Sequence, residues 1–237
     1  MADPYANSDG IERVKGPDGR DLYLLEYEVT EDSLEETRIG LTPEVEAQYE
    51  ELHELTMTRP AEAVPRLESL VEKYPQIPVL KNWLSVAYQQ TGREAESDAM
   101  GERLWREHPD YLFARISQAQ VHLRRGELEK VPTVFGDKLD LKLMYPHRNV
   151  FHISEVVAMY NVLAEWHCRK GEPDKAMIYL DQLEELAPEH PVTERLELML
   201  MPEILTEAIK QLASRPRRVT RRKRGTATRK KKRKGSA

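Results

Sequence analysis

Helix-breaking residues recur along this chain at a fixed interval, and that interval limits what it can fold into. Pro75 and Pro109 lie 34 residues apart, and so do Gly92 and Gly126. Glycine ends a helix by taking a left-handed backbone without a side-chain clash, and proline stops one by removing a donor. Two different breakers sharing one offset, with helical apolar periodicity between them, predict a helical unit stacked on copies of itself.

The segment before the repeats reads differently. Gly16-Pro17-Asp18-Gly19 is dense in turn formers, and Tyr23, Leu25, Tyr27 and Val29 alternate along one face. This predicts a short hairpin within 11–29. Two strands alone are barely stable, so the hairpin is expected to lie against the first helices. Residues 1–10 are expected to be disordered, and 11–40 to hold the hairpin and a connector. Helical periodicity begins at Thr42-Pro43-Glu44, which supplies an N-cap, a first-turn proline and an acid suited to the helix dipole. A first helix is expected over 43–57.

The repeated units resemble tetratricopeptide (TPR) repeats, in which each unit is a pair of antiparallel helices. The match is carried by Leu84-Ser85 and Tyr88 before Gly92, followed by Ser97, Gly101 and Pro109. It recurs with Leu163-Ala164 and His167 before Gly171, followed by Ala176, Leu180 and Pro188. Ala63, Leu67 and Pro75 fit the second helix of an earlier unit. Small residues such as Ser85, Ser97, Ala119, Ala164 and Ala176 let paired helices approach, while Leu84, Leu163 and Leu180 fill the gaps between units. The implied fold class is all-α, a TPR-type helical-hairpin solenoid of about four units, with the small N-terminal β-hairpin and a disordered basic C-terminal tail. The repeat region covers 41–191, with units at about 41–75, 76–109, 110–147 and 148–191.

The third unit departs from the pattern. Gly126 and Gly171 are 45 residues apart, and Pro132 and Gly136 fall where the second helix of that unit belongs. Residues 131–147 are expected to form a distorted second helix and a longer connection, with the next first helix starting near Asn149. After Pro188, an apolar stripe of Leu196, Leu200, Ile204, Leu205, Ala208 and Leu212 predicts capping helices over 192–213, kinked or restarted at Pro202. A stacked array leaves its last pair with an uncovered apolar edge, which such a segment closes.

Signatures of catalysis are missing from the sequence: there is no glycine-rich phosphate loop, nucleophile elbow or paired zinc spacing. His122, His147, His152 and His167, with Cys168, gather in the second half. His147 and His152 are spaced for different helix faces, and His122 and His167 occupy the repeat position that Tyr88 fills elsewhere, so all four read as packing residues. Adjacent residues on a helix point about 100° apart, which keeps His167 and Cys168 from acting as an imidazole and thiolate pair. No enzyme activity, cofactor or metal is expected.

Charge divides the chain. From Arg215 to Ala237 there are 13 Lys and Arg and no acid, leaving 23 of the 36 basic residues against all 41 acidic ones, a formal charge of −18 on the remainder. The tail, 214–237, has too few apolar residues to bury a core. Arg217, Arg218, Arg221, Arg222, Lys223, Arg224, Arg229, Lys230, Lys231, Lys232, Arg233 and Lys234 form two clusters suited to a polyanion such as RNA, DNA or the ribosome.

The resemblance implies that a partner peptide lies along the concave face of the first helices. Carried onto this chain, that face selects Asn82, Val86, Gln89, Gln90, Phe113, Ile116, Gln120, Arg124, Asn161, Glu165 and Arg169. Amides among a few apolar groups suit an extended peptide, whose backbone they can pair with. The function expected is a non-enzymatic adaptor that holds a protein or peptide in this groove while the tail contacts a polyanion. The alternative is a nucleic-acid-binding protein whose helical body is mainly a dimerisation platform. No apolar run reaches the ~18 residues of a membrane span, and residues 1–10 have no basic start or apolar core of a signal peptide. A cytoplasmic location is expected, with nuclear import through the paired basic clusters if the source cell has a nucleus.

Overall fold

The computed structural model describes residues 4–15 and 21–214 of the chain. The expected tail and the hairpin turn at 16–20 lie outside the described residues. The described part is mostly helical, in the order β1 (Ile11–Lys15), β2 (Asp21–Leu25), β3 (Glu28–Thr30), α1 (Pro43–Glu46), α2 (Tyr49–Thr58), α3 (Pro60–Lys73), α4 (Pro78–Gln90), α5 (Glu94–Glu107), α6 (Leu112–Arg124), α7 (Lys130–Val134), α8 (Leu141–Met144), β4 (Val150–His152), α9 (Ile153–Arg169), α10 (Pro173–Leu186) and α11 (Pro191–Ser214). The chain divides into two units, Met1–Met201 and Pro202–Ala237.

In the first unit, the spaced glycines make the same turn three times. Gly92, Gly126 and Gly171 have φ of +73°, +73° and +72°. Each donates to a carbonyl three residues back, and the residue after it donates to one five residues back: Arg93 to Tyr88 at 2.8 Å, Glu127 to His122 at 2.9 Å and Glu172 to His167 at 2.9 Å. This closes the free carbonyls at the ends of α4, α6 and α9 and turns the chain into the next helix. Consecutive helices pack on each other from α2 to α6 and again from α9 to α10; α2 also packs on α4, α4 on α6 and α6 on α9.

Small residues sit where the helices meet. Ser85 of α4 is buried and its hydroxyl lies 3.1 Å from the Ser97 carbonyl of α5. A Cβ at Gly101 would sit 3.4 Å from Cβ of Ser117, which brings α5 close to α6. Ala164 and Ala176 are fully buried where α9 meets α10. Leu52, Leu67, Leu80 and Leu84 fill the core around α2, α3 and α4.

Several expectations are corrected. The helix expected over 43–57 is two, α1 and α2, because the chain leaves helical geometry at Gln48 (φ −121°, ψ 12°). Over 131–147, where a distorted helix and a longer connection were expected, the first element is indeed only the short α7. It stops where Gly136 and Asp137 both take positive φ, and Asp137 donates to the Pro132 carbonyl at 2.9 Å. The chain then forms α8, whose first turn is capped by Asp140 accepting from the Lys142 amide at 2.7 Å. Lys142 is fully buried, and its ammonium donates to the carbonyls of Pro146 (3.1 Å) and Arg148 (2.9 Å) and to the side chain of Asn149. Helix α9 starts at Ile153 rather than near Asn149. Residues 150–152 are drawn into a strand, and His152 and Glu155 form a capping box.

The N-terminal segment is corrected most. Strands β1 and β2 pair antiparallel with Arg13 opposite Tyr23, but the run does not continue through Tyr27 and Val29 on that hairpin. Instead β3 pairs parallel with β4, Val29 opposite Phe151. The segment therefore lies against the fourth helical pair, not the first helices: Tyr27 meets the Phe151 ring edge-on at 5.1 Å. Residues 4–10, expected to be disordered, form turns held by long-range contacts. Asn149 donates to Asp9 at 3.0 Å, and Glu26 N–H donates to the Gly10 carbonyl at 2.8 Å. Gly10 has φ +71°, and a Cβ there would stand 2.3 Å from the Glu26 oxygen.

Helix α11 contains Pro202 without the restart expected there. Thr193, Leu196 and Leu200 are buried in the first unit. In the second, Leu205 is exposed, and the side chains of Ala208 and Leu212 lie outside those described. No helix among the described residues is long and apolar enough to cross a membrane.

Candidate functional site

The expected binding face divides into an open part and a closed part. On α4, Asn82, Val86, Gln89 and Gln90 stand four, seven and eight residues on from the first, so they share one side of the helix. Asn82 and Val86 are half-buried, and the two glutamines are exposed. On the adjacent α6, Gln120 is half-buried and Phe113 rests against the Tyr111 ring at 5.6 Å. The side chains of Asn82, Gln89, Gln90 and Gln120 make no hydrogen bond among the described residues.

The other residues of that face serve contacts between helices. Ile116 is buried at 4% exposure. Arg124 donates to Asp98 of α5 at 2.8 Å. On α9, the buried Asn161 accepts from Arg195 of α11, Glu165 accepts from Arg169 at 3.0 Å, and Arg169 also donates to the Leu123 carbonyl at 3.0 Å. The α9 end of the face is thus closed by the start of α11, which lies beside α9 as the next helix of the series. The twelve basic tail residues, Arg217, Arg218, Arg221, Arg222, Lys223, Arg224, Arg229, Lys230, Lys231, Lys232, Arg233 and Lys234, lie outside the described residues.

Of the four histidines singled out, His122, His152 and His167 have local partners, whereas His147, expected to pack, is exposed. His122 and His167 stand at equivalent places in α6 and α9, with Nδ1 2.6 Å from Glu127 and 2.7 Å from Glu172. Those glutamates are the residues that follow the turn glycines, so ring and backbone both close the same turn. In α4 the same pair of places holds Tyr88 and Arg93, whose guanidinium lies 4.3 Å from the ring centroid. Burial lowers the His167 pKa against the pull of Glu172, whose own carboxyl is held down to about 2 by His167 and Lys175. His152 caps α9, with its Nε2 3.2 Å from the Glu31 carbonyl. No three His, Cys, Asp or Glu among the described residues are grouped to hold a metal ion.

A concave feature elsewhere on the first unit was not visible in the sequence. The N-terminal segment and α10 enclose a cleft of about 590 Å³, whose walls include Leu25, Tyr27, Tyr160, Ile178, Tyr179 and Leu186. The Tyr27 and Tyr160 hydroxyls are 2.9 Å apart, and the Tyr160 and Tyr179 rings are 5.5 Å apart. Burial raises the pKa of all three phenols, that of Tyr179 to about 12, so each stays protonated near neutrality. Burial also raises Asp140, although the amides of Lys142 and Leu143 favour its charged form. Glu26 and Glu185 stand at the rim. The one hint in the sequence is that Ile178, Gln182 and Leu186 lie four apart on a side of α10 away from its buried stripe of Ala176, Leu180 and Leu183.

No family model, curated protein or solved structure matches this chain.

Proposed function

We propose that the protein is a non-enzymatic adaptor whose helical body binds a partner protein along α4 and α6, with the basic tail contacting a polyanion. The observation that carries this reading is the group of four amide side chains without internal partners, beside Val86 and Phe113, on two neighbouring helices. Unbonded amides next to half-buried apolar groups match the needs of an extended peptide, whose backbone must find donors and acceptors as it leaves water. The serial helix pairs, joined by three identical glycine turns, are the type of array in which first helices line a shared surface.

A photo-crosslinking residue installed at Gln89 or Gln120 tests the reading in the source cells. Adducts are expected from both positions and not from Glu72, an exposed site on α3. Equal adducts at all three sites, or none, would sink it. Linking a groove contact to a tail contact raises the overall avidity when both can be engaged together. The alternative reading, in which the body mainly dimerises, predicts adducts between two copies of this chain.

A further inference from the structure

We infer that the cleft between the N-terminal segment and α10 is a docking site for a partner peptide in which a lysine or arginine is flanked by aliphatic residues. The inference concerns a different surface from the α4 and α6 face and does not depend on it.

The charge of the cleft is one-sided. Glu26, Asp140 and Glu185 are its ionisable acids, and no Lys, Arg or His is among its lining residues. The rest of α10 and the turn after it continue the bias: Asp181, Glu184 and Glu189 occur with no Lys or Arg between Ala176 and Glu194. Acids in a partly walled cleft focus field lines, which raises the local concentration of a cation. Three of the lining residues, Tyr27, Tyr160 and Tyr179, are aromatic, and a cation is attracted by the electron-rich face of such rings, more strongly when it loses water.

The walls decide what must accompany the charge. Leu25, Val29, Leu139, Ile178 and Leu186 contribute apolar surface, and Ile178 is 55% and Leu186 37% exposed although both are large aliphatic residues. A free metal ion or small amine would leave these side chains facing water. A purely basic segment such as this chain's own tail, with Val219 as its one large apolar residue, would leave them uncovered as well. A peptide that pairs a cation with aliphatic neighbours covers both kinds of surface, and hydrophobic burial with charge complementarity then act together.

The test is a selection of short random peptides on the full-length protein, followed by anisotropy titration of the best binder. Enriched sequences are expected to carry Lys or Arg beside Leu, Ile or Val. Replacing that basic residue with Glu is expected to weaken binding at least about tenfold. Glu26→Lys combined with Glu185→Lys is expected to do the same, as is Ile178→Asp. All three substituted positions are at the surface, and an unchanged circular dichroism spectrum with an unchanged melting temperature shows that the fold persists. Gln89→Glu with Gln120→Glu is expected to leave this binding unaltered, which separates the cleft from the α4 and α6 face. No enrichment, enriched peptides without a basic residue, or binding indifferent to the cleft variants overturns the inference. A peptide copying 215–237 that competes with affinity equal to that of the selected binder assigns the cleft to the tail and overturns it too.

Discussion

Lys81→Met tests how α4 and α5 are held together. Lys81, on α4, is fully buried, and its ammonium donates to the Pro75 carbonyl and lies 2.6 Å from a carboxylate oxygen of Glu107 at the end of α5. One side chain therefore ties the loop before α4 to the end of the partner helix. Methionine keeps the aliphatic stem but leaves the carbonyl and carboxylate without their donor. Removing one member of a buried ion pair costs about 3–5 kcal/mol. Glu107 is 36% exposed and retains Arg103 at 2.9 Å, so a loss of about 2–3 kcal/mol is expected here.

The same contact sets a pH window. Burial opposes the charge on Glu107, but Lys81 and Arg103 outweigh it and hold the carboxyl down to about 2, from an ordinary 4.5. Such a difference corresponds to ~3.4 kcal/mol at most, and about 1–2 kcal/mol after allowing for water at an exposed carboxylate. Because the folded pKa is the lower one, the contribution is complete above 4.5 and is lost as pH falls towards 2. Urea unfolding followed by tryptophan fluorescence, repeated across that window, is the assay. The gap between wild type and Lys81→Met should narrow as the medium becomes more acid. A loss below about 0.5 kcal/mol at neutral pH, or a gap that stays constant, refutes the reasoning, since it would place Lys81 among ion pairs worth little.

Three further outcomes are expected. Gly10→Ala should destabilise by about 1–3 kcal/mol, combining positive φ with a collision against the Glu26 carbonyl, whereas Gly40→Ala, with open space around it, should cost nearer ~1 kcal/mol; thermal melts compare them. His167→Gln should flatten the fall in stability below pH 6.5, because burial lowers the folded pKa of His167 and makes its protonation oppose folding, which acid titration of the melting temperature reads. Deletion of 215–237 should abolish binding to duplex RNA, and if six to eight phosphates are engaged the intact chain should show a log–log salt slope of about −5 to −7 in filter binding; a slope near zero would exclude counterion release.

Local chemistry was legible in the sequence. Gly92 and Gly126 were placed at helix ends by their spacing and Gly171 by the residues around it, and each has the positive φ and paired turn bonds that this role requires. The Thr42 cap was also readable, since the bond from the Val45 amide to its hydroxyl spans three residues. The open amides of α4 were found from position in the repeat. That the α9 residues are closed was not, because Arg195 reaches Asn161 from a helix whose docking no local pattern encodes.

The amino-acid order by itself determined where helices stop, which residues could pack closely, and how sharply charge is divided between body and tail. These depend on backbone preference, side-chain size and ionisation, properties each residue carries with it. Tertiary structure alone decided that Glu28–Thr30 would pair with Val150–His152, that residues 4–10 would be held by Asn149 and Glu26, and that three tyrosines from distant segments would share a cleft. A parallel pairing of two three-residue strands leaves almost no periodic trace, and the free energy that selects it comes from surfaces that exist only after the helices have stacked.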